Sequence, residues 1–243
     1  MQIVRDELIR VKEEFATPRI TSIEESGEDL EDEDFIQKED MVVTISNTGY
    51  IKRVPLNTYR AQRRGGKGKT GMTTKEEDFV HDIFAANTHT PVLFFSTMGI
   101  VYKMKVYKLP LATAQSKGKA LINLFPIKPN ESLATVLALP DDESTWEDYD
   151  IVLATSRGTI RRNKLSDFVN VNSKGKIAMK LENEKLISVA LCKDDMDIMV
   201  STKLGKCIRF PVSDLRIFAS RTSTGVRAAK LVGDDEVIYI FLL

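Results

Sequence analysis

The chain has 243 residues, 35 Lys+Arg against 35 Asp+Glu, a formal net charge of zero and 42% hydrophobic residues. This fits one large all-β domain or two smaller ones with a substantial core, and it excludes wholesale disorder. No apolar run reaches the roughly eighteen residues of a membrane span. Residues 1–6 do not open a signal peptide. Two cysteines, Cys192 and Cys207, argue against a disulfide framework, and beside His81 and His89 they make no metal-ligand spacing.

The neutral total conceals a division. Residues 1–40 carry 14 acids and 5 bases, a balance of −9, whereas residues 41–243 carry 21 acids and 30 bases, a balance of +9. Residues 41–75 hold eight bases and no acid. Such asymmetry points to polyanion binding beside an acidic segment.

Residues 3–16 read as a helix, with Val4, Leu8, Val11 and Phe15 on one face, an Asp6–Arg10 pair outside and Pro18 as its stop. A helix this short needs a larger structure, so residues 1–20 are assigned to the end of an upstream domain. Residues 21–40 follow as an acidic linker, with ten acids and one base between 24 and 40. A sharper reading makes this segment a shield for the basic surface beyond it.

From residue 41 the chain repeats, in units at about 41–90, 91–140, 150–193 and 197–243. Each unit has a paired apolar start, a hydroxyl (Ser46, Ser96, Thr155, Thr202) and, three residues later, a glycine (Gly49, Gly99, Gly158, Gly205). A strand ending in a tight turn explains this spacing, because the hydroxyl can bond the turn backbone. Four residues after the glycine stands a base: Arg53, Lys103, Arg162, Arg209. A second glycine follows in Lys67-Gly68-Lys69, Lys117-Gly118-Lys119, Lys174-Gly175-Lys176 and Thr224-Gly225-Val226, and an apolar strand closes each unit. The glycine periods of 50, 59 and 47 predict four-stranded blades of an all-β, propeller-like array, the longest unit holding an acidic insert at 141–150.

The densest basic signal is Gln62, Arg63, Arg64, Gly65, Gly66, Lys67 and Gly68. Glycines allow close backbone approach to a phosphate, which Arg forks and Lys charges neutralise; the bland alternative is a solvated loop. Gly68-Lys69-Thr70 is not a P-loop, since position 63 is Arg and no helix pattern follows. The base four after each glycine reads singly as strand alternation. In all four repeats it reads as a ring of charge on one rim. Alternation nevertheless puts it on the same face as the apolar residue two positions earlier. Binding to nucleic acid would be independent of base sequence, because no recognition helix, zinc finger or base-stacking motif is present. Tyr50, Tyr59, Phe94, Phe95, Tyr102 and Tyr107 read as blade packing, Trp146 as a local anchor, and both cysteines as core. No constellation for catalysis emerges.

The QRRGGKG run at 62–68 resembles the box that marks the C-terminal domain of the A protein of bacterial DNA gyrase. The surroundings at 46–55, 59–61 and 104–110 are also similar, and the resemblance covers nearly the whole chain. It implies a β-pinwheel whose blades exchange strands and whose basic rim wraps DNA into a positive crossing, which strand passage elsewhere converts to negative supercoils. The family's disc has six blades, of which four are counted here. The implied DNA contacts are the box, the rim bases Arg53, Lys103, Arg162 and Arg209, and Lys69, Lys117, Lys119, Lys174, Lys176 and Arg221. The implied partners are double-stranded DNA, the gyrase B protein and the rest of the gyrase A protein in an A2B2 assembly, in the bacterial cytoplasm and without a membrane. No cofactor is expected in this segment, ATP and Mg serving other parts of the parent topoisomerase, and the segment alone is expected to catalyse nothing. The alternatives are the related topoisomerase IV domain and a protein-interaction propeller.

Overall fold

The protein is represented by a computed structural model that describes residues 2–17, 32–59, 72 and 78–243. The box at 62–68, Lys69 and most of the acidic linker lie outside the described residues. Two compact units are present, Met1–Phe35 and Ile36–Leu243. In the first, helix α1 (Gln2–Phe15) confirms the helical periodicity, and its apolar residues Val4, Leu8, Val11 and Phe15 are exposed.

The second unit contains β1 (Asp40–Ser46), β2 (Tyr50–Pro55), β3 (Val80–Asn87), β4 (Pro91–Ser96), β5 (Ile100–Lys105), β6 (Lys119–Ala120), β7 (Leu133–Ala138) and β8 (Asp150–Thr155). It continues with β9 (Thr159–Lys164), β10 (Lys176–Ile177), β11 (Leu186–Cys192), β12 (Asp197–Thr202), β13 (Cys207–Pro211), β14 (Val226–Arg227) and β15 (Val237–Leu242). Four antiparallel sheets result, ordered β3-β1-β2-β6, β10-β5-β4-β7, β11-β8-β9-β14 and β13-β12-β15. Each of the first three takes its short outer strand from the following repeat: Lys119 pairs with Ile51, Lys176 with Val101 and Val226 with Ile160. The fourth sheet, among the described residues, has three strands rather than the expected four.

The turn chemistry follows the repeat. Ser46, Ser96, Thr155 and Thr202 each accept, through the side-chain oxygen, the amide of the residue just past the turn glycine, at 3.2, 3.2, 3.1 and 3.2 Å. An acid two residues before the closing strand braces the same turn in three repeats. Thr48 donates to Asp78 at 2.6 Å, Thr155 to Glu184 at 2.5 Å and Thr202 to Asp235 at 2.9 Å. In the second repeat Glu131 accepts instead from the Lys128 amide at 3.0 Å.

The core lies between sheets, not within one. Met41, Val43 and Ile45 meet Val92 and Phe94; Leu93 and Phe95 meet Ile151, Leu153 and Phe168; Val152 and Ala154 meet Ile198 and Val200. Strands β4 and β8 are therefore buried on both faces, and their side chains are apolar at nearly every position. Strand β12, packed on one face, alternates. The closing strands β7, β11 and β15 run beside one another, with the Val189 amide donating to Thr135 Oγ1 at 3.1 Å. They form the inner side of the array, so β6, β10 and β14 lie on its outer edge. Among the described residues no helix is long and apolar enough to cross a membrane, and no His, Cys, Asp or Glu cluster could hold a metal.

Two substitutions test the outer edge. Gly118 has φ +82, and a Cβ there would lie 2.4 Å from the Ile51 carbonyl oxygen, whereas a Cβ on Gly205 at φ +79 meets nothing within 4 Å. Gly205→Ala should cost about 1–2 kcal/mol for the left-handed backbone alone. Gly118→Ala should cost more, by chemical denaturation, because it also pushes β6 off β2. A second test uses acid. Burial raises the Asp78 carboxyl, but bonds from the Thr48 hydroxyl and amide, Ser46 and the Phe79 amide outweigh it and hold it below its ordinary 3.8. Asp235, with the Leu204 amide and the Thr202 hydroxyl, is likewise lowered. A depressed carboxyl stabilises the fold above its unfolded value, and that contribution is lost as pH falls through the folded one. Asp78→Asn should therefore flatten the loss of stability below about pH 3.8 in acid titration monitored by circular dichroism.

Candidate nucleic-acid interface

The outer edge is built by the second glycine of each repeat and the loop before it. These loops carry Lys117 and Lys119, Lys174 and Lys176, and Arg221, with Arg227 beyond the fourth. Lys119, Lys174 and Arg227 are exposed, and Lys117, Lys176 and Arg221 are half-buried. Lys117 is partly held, its ammonium lying 3.6 Å from the centre of the Tyr50 ring. Two successive loops thus present cations at matching positions beside their glycine, and the next presents Arg221 and Arg227 at different positions along the same edge.

Buried cations anchor two of these loops from beneath. Lys52, fully buried, donates to the carbonyls of Thr113, Ala114 and Ser116 at 3.0, 2.5 and 2.8 Å. Arg161, also fully buried, donates to the carbonyls of Arg221 and Ser223 at 2.7 and 2.5 Å, to Ala178 O, and to Asn163 Oδ1 at 2.8 Å. Burial lowers the Lys52 ammonium. Each ion is instead solvated by loop carbonyls, which ties the outer loop to the blade it covers. Neither residue stands out in sequence, although each directly precedes the recurrent base and so faces the opposite side of its strand.

The recurrent base itself requires a correction. Arg53, Lys103 and Arg162 do not form an exposed ring. They face the next blade, as the apolar residues two positions earlier do, and hold its chain. Arg53 Nε donates to Leu109 O at 2.8 Å, Lys103 Nζ to Val169 O at 2.8 Å, and Arg162 Nη1 to Val212 O at 3.1 Å. Acids neutralise two of them. Glu143 of the acidic insert pairs with Lys103, while Asp150 takes Arg162 Nε at 2.7 Å and Asp194 pairs with the same guanidinium. The Arg162 side chain is only 3% exposed and that of Lys103 13%. Arg209, in the three-stranded sheet, is 63% exposed and bonds Asp197 at 2.7 Å. In the first three repeats the base is thus an interlock between blades.

Several smaller expectations meet the structure here. Trp146 is fully buried, donates to Pro140 O at 3.0 Å and lies under the Lys103 ammonium, as an anchor should. Phe94, Phe95 and Tyr102 pack between blades. Cys192 is buried, and burial pushes its thiol up to about 12, but Cys207 is exposed on the outer edge of β13 and is not core.

Blades that exchange their outer strands define a β-propeller-like array. The chain belongs to the family described as "DNA gyrase C-terminal domain, beta-propeller", which matches residues 40–87, 90–140, 149–193 and 197–243. It is 50% identical over 244 residues to the DNA gyrase A protein of Rickettsia bellii, covering 100% of this chain and 27% of that protein. The chain thus spans about a quarter of the length of the curated relatives it matches. A solved DNA gyrase A C-terminal domain superposes with TM-score 0.65 at 25% identity, covering 84% of this chain and 65% of that one. The C-terminal domain of DNA topoisomerase IV superposes with TM-score 0.72 at 22% identity, covering 86% and 62%, a likeness of fold alone.

The interlock is testable. Arg162→Ala leaves the buried Asp150 with Lys164, at 2.9 Å, as its remaining cation and should destabilise the chain by roughly 2–3 kcal/mol. Lys119→Ala, on the exposed edge, should stay within about 0.5 kcal/mol of the unchanged chain in the same denaturant titration.

Proposed function

We propose that this chain binds double-stranded DNA without regard to base sequence and wraps it along the outer edge of the blades. The observation that carries this reading is the run of cations along the outer loops, Lys117 and Lys119 and Lys174 and Lys176 at matching positions beside the second glycine and Arg221 in the next loop, two of these loops being pinned to the blade beneath. A duplex following that edge exchanges condensed counterions for these side chains, and a curved edge rewards bending. Family membership supports the same reading. The box Gln62, Arg63, Arg64, Gly65, Gly66, Lys67 and Gly68, with Lys69, belongs to this proposal as the element that completes the wrap.

Within a whole gyrase A protein, the chain would supply the positive DNA crossing that strand passage converts to negative supercoils, beside the gyrase B protein in an A2B2 assembly in the bacterial cytoplasm. Residues 1–20 would continue the upstream domain and residues 21–40 would link it to the blades. Cleavage chemistry, ATP and Mg would reside in other parts of that assembly, so this chain acts by binding. The relatives' names favour gyrase over topoisomerase IV, whose solved domain shares the fold. The protein-interaction alternative predicts no duplex binding at low salt.

The test is a salt series with a linear duplex, read by fluorescence anisotropy. Log K should fall against log salt by about 0.9 for each phosphate neutralised, and Lys119→Ala with Lys174→Ala should reduce the slope by about 0.9 each. Replacing Arg63, Arg64 and Lys67 by Ala should abolish bending measured by FRET between the duplex ends. Unchanged slopes and unchanged bending would overturn the assignment.

A further inference from the structure

We infer that a cavity between the first and second blades, beside the first β-turn, is a binding site for a small organic anion with an apolar body. It uses none of the cations assigned to DNA above. The cavity holds about 310 Å³, at the lower end of the roughly 300–1,000 Å³ typical of ligand pockets. Ile45, Leu121, Ile127 and Leu133 give it an apolar lining, and Lys128 and Ser132 are among its polar groups.

A departure from the repeat creates this space. At the second and third turns the connector of the following repeat packs directly on the turn glycine. A Cβ on Gly99 would lie 2.4 Å from Met179 O and 3.1 Å from Leu181 Cγ, and one on Gly158 would lie 2.9 Å from Ala229 O. At the first turn a Cβ on Gly49 would meet only Leu121 Cδ1, at 3.8 Å. The connector of the second repeat spans 121–132, longer than 178–185 in the third and 228–236 in the fourth, and it stands off the turn. Packing holds it there. The Phe125 ring lies 4.9 Å from that of Phe94 and 5.0 Å from that of Tyr102, and the Ile127 amide returns to Phe125 O at 2.8 Å. At the far end the Ser132 amide donates to Thr97 Oγ1 at 3.3 Å. The cavity is thus formed before any ligand arrives, which lowers the ordering cost of binding.

The polar groups of the wall set the ligand's charge. The Gly49 amide is spent on Ser46 O at 2.9 Å, and the Thr48 amide on Asp78 at 3.0 Å. Glu131 is engaged at both oxygens, by the Lys128 amide at 3.0 Å and the Tyr102 hydroxyl at 3.5 Å. His81 shares its Nδ1 with Asp82 at 2.9 Å. The exposed Lys128 ammonium, by contrast, forms no ion pair among the described residues. An apolar body seated against Ile45 and Ile127 gains from leaving water, and a carboxylate on it can pair with that ammonium. An amine on the same body would meet Lys128 as a like charge.

The experiment titrates the full chain, without DNA, with hydrocinnamate and with the corresponding alcohol and amine, and follows isoleucine δ-methyl resonances by NMR. Saturable shifts are expected at Ile45 and Ile127 with hydrocinnamate, whereas Ile198 and Ile240, in the core between the third and fourth blades, should not move. Affinity should fall in the order anion, alcohol, amine. Lys128→Gln should weaken hydrocinnamate roughly two- to fivefold, the worth of one exposed ion pair, and leave the alcohol unchanged. Because Lys128 is exposed, this variant keeps the fold. The site is overturned if no saturable shift occurs at Ile45 and Ile127, if the anion binds no more tightly than the alcohol, or if Lys128→Gln leaves the affinity for the anion unchanged.

Discussion

The exchange of the outer strand between repeats is the constraint on which the rest of the structure depends. Strands β6, β10 and β14 are two residues long and could not hold themselves in place by ladder bonds alone. They stay because the loop before each is fixed from below, by Lys52 or Arg161 in two cases and by the packing of Gly175 on the Tyr102 ring in the third. The base four residues after the turn glycine works on the other side of the strand, gripping the next repeat. Neighbouring blades are therefore joined by an ionic and carbonyl interlock on one face and by apolar packing between sheets.

This arrangement divides the cations into two populations with different tasks. Lys52, Lys103, Arg161 and Arg162 are withdrawn from solvent and satisfied by carbonyls or by Glu143, Asp150 and Asp194. Lys119, Lys174 and Arg227 remain on the outer edge. The acidic insert at 141–150 thus neutralises the interior, and it leaves the edge positive. A summed charge for the array overstates what a polyanion can meet, because part of the +9 never reaches the surface.

Much of this is legible in the sequence. The turn glycines and their hydroxyls report blade number, hairpin position and side-chain bonding, since a tight turn imposes local rules that repeat wherever it recurs. Strand exchange is visible only through the family resemblance, because two-residue strands have no periodicity to detect. The role of Arg53, Lys103 and Arg162 differs from the expected rim for a physical reason. Alternation places them beside Ile51, Val101 and Ile160 on the packed face, and that clue outweighs their charge. Lys52 and Arg161 give no signal because a buried cation solvated by carbonyls looks, in sequence, like any surface base. Cys207 is not core because it lies on β13, the outer strand of the three-stranded sheet, whereas the equivalent residues Ile51, Val101 and Ile160 are covered.

Lysine footprinting tests the division most directly: amine acetylation of the chain, with and without a saturating linear duplex, read residue by residue by mass spectrometry. The account predicts that Lys119 and Lys174 react freely alone and are protected by DNA. Lys52 and Lys103 should resist acetylation in both states, and Lys203 and Lys206 at the β12–β13 turn should react equally in both. Protection of Lys203 and Lys206 with Lys119 and Lys174 left reactive would place DNA on the turn face and contradict the account.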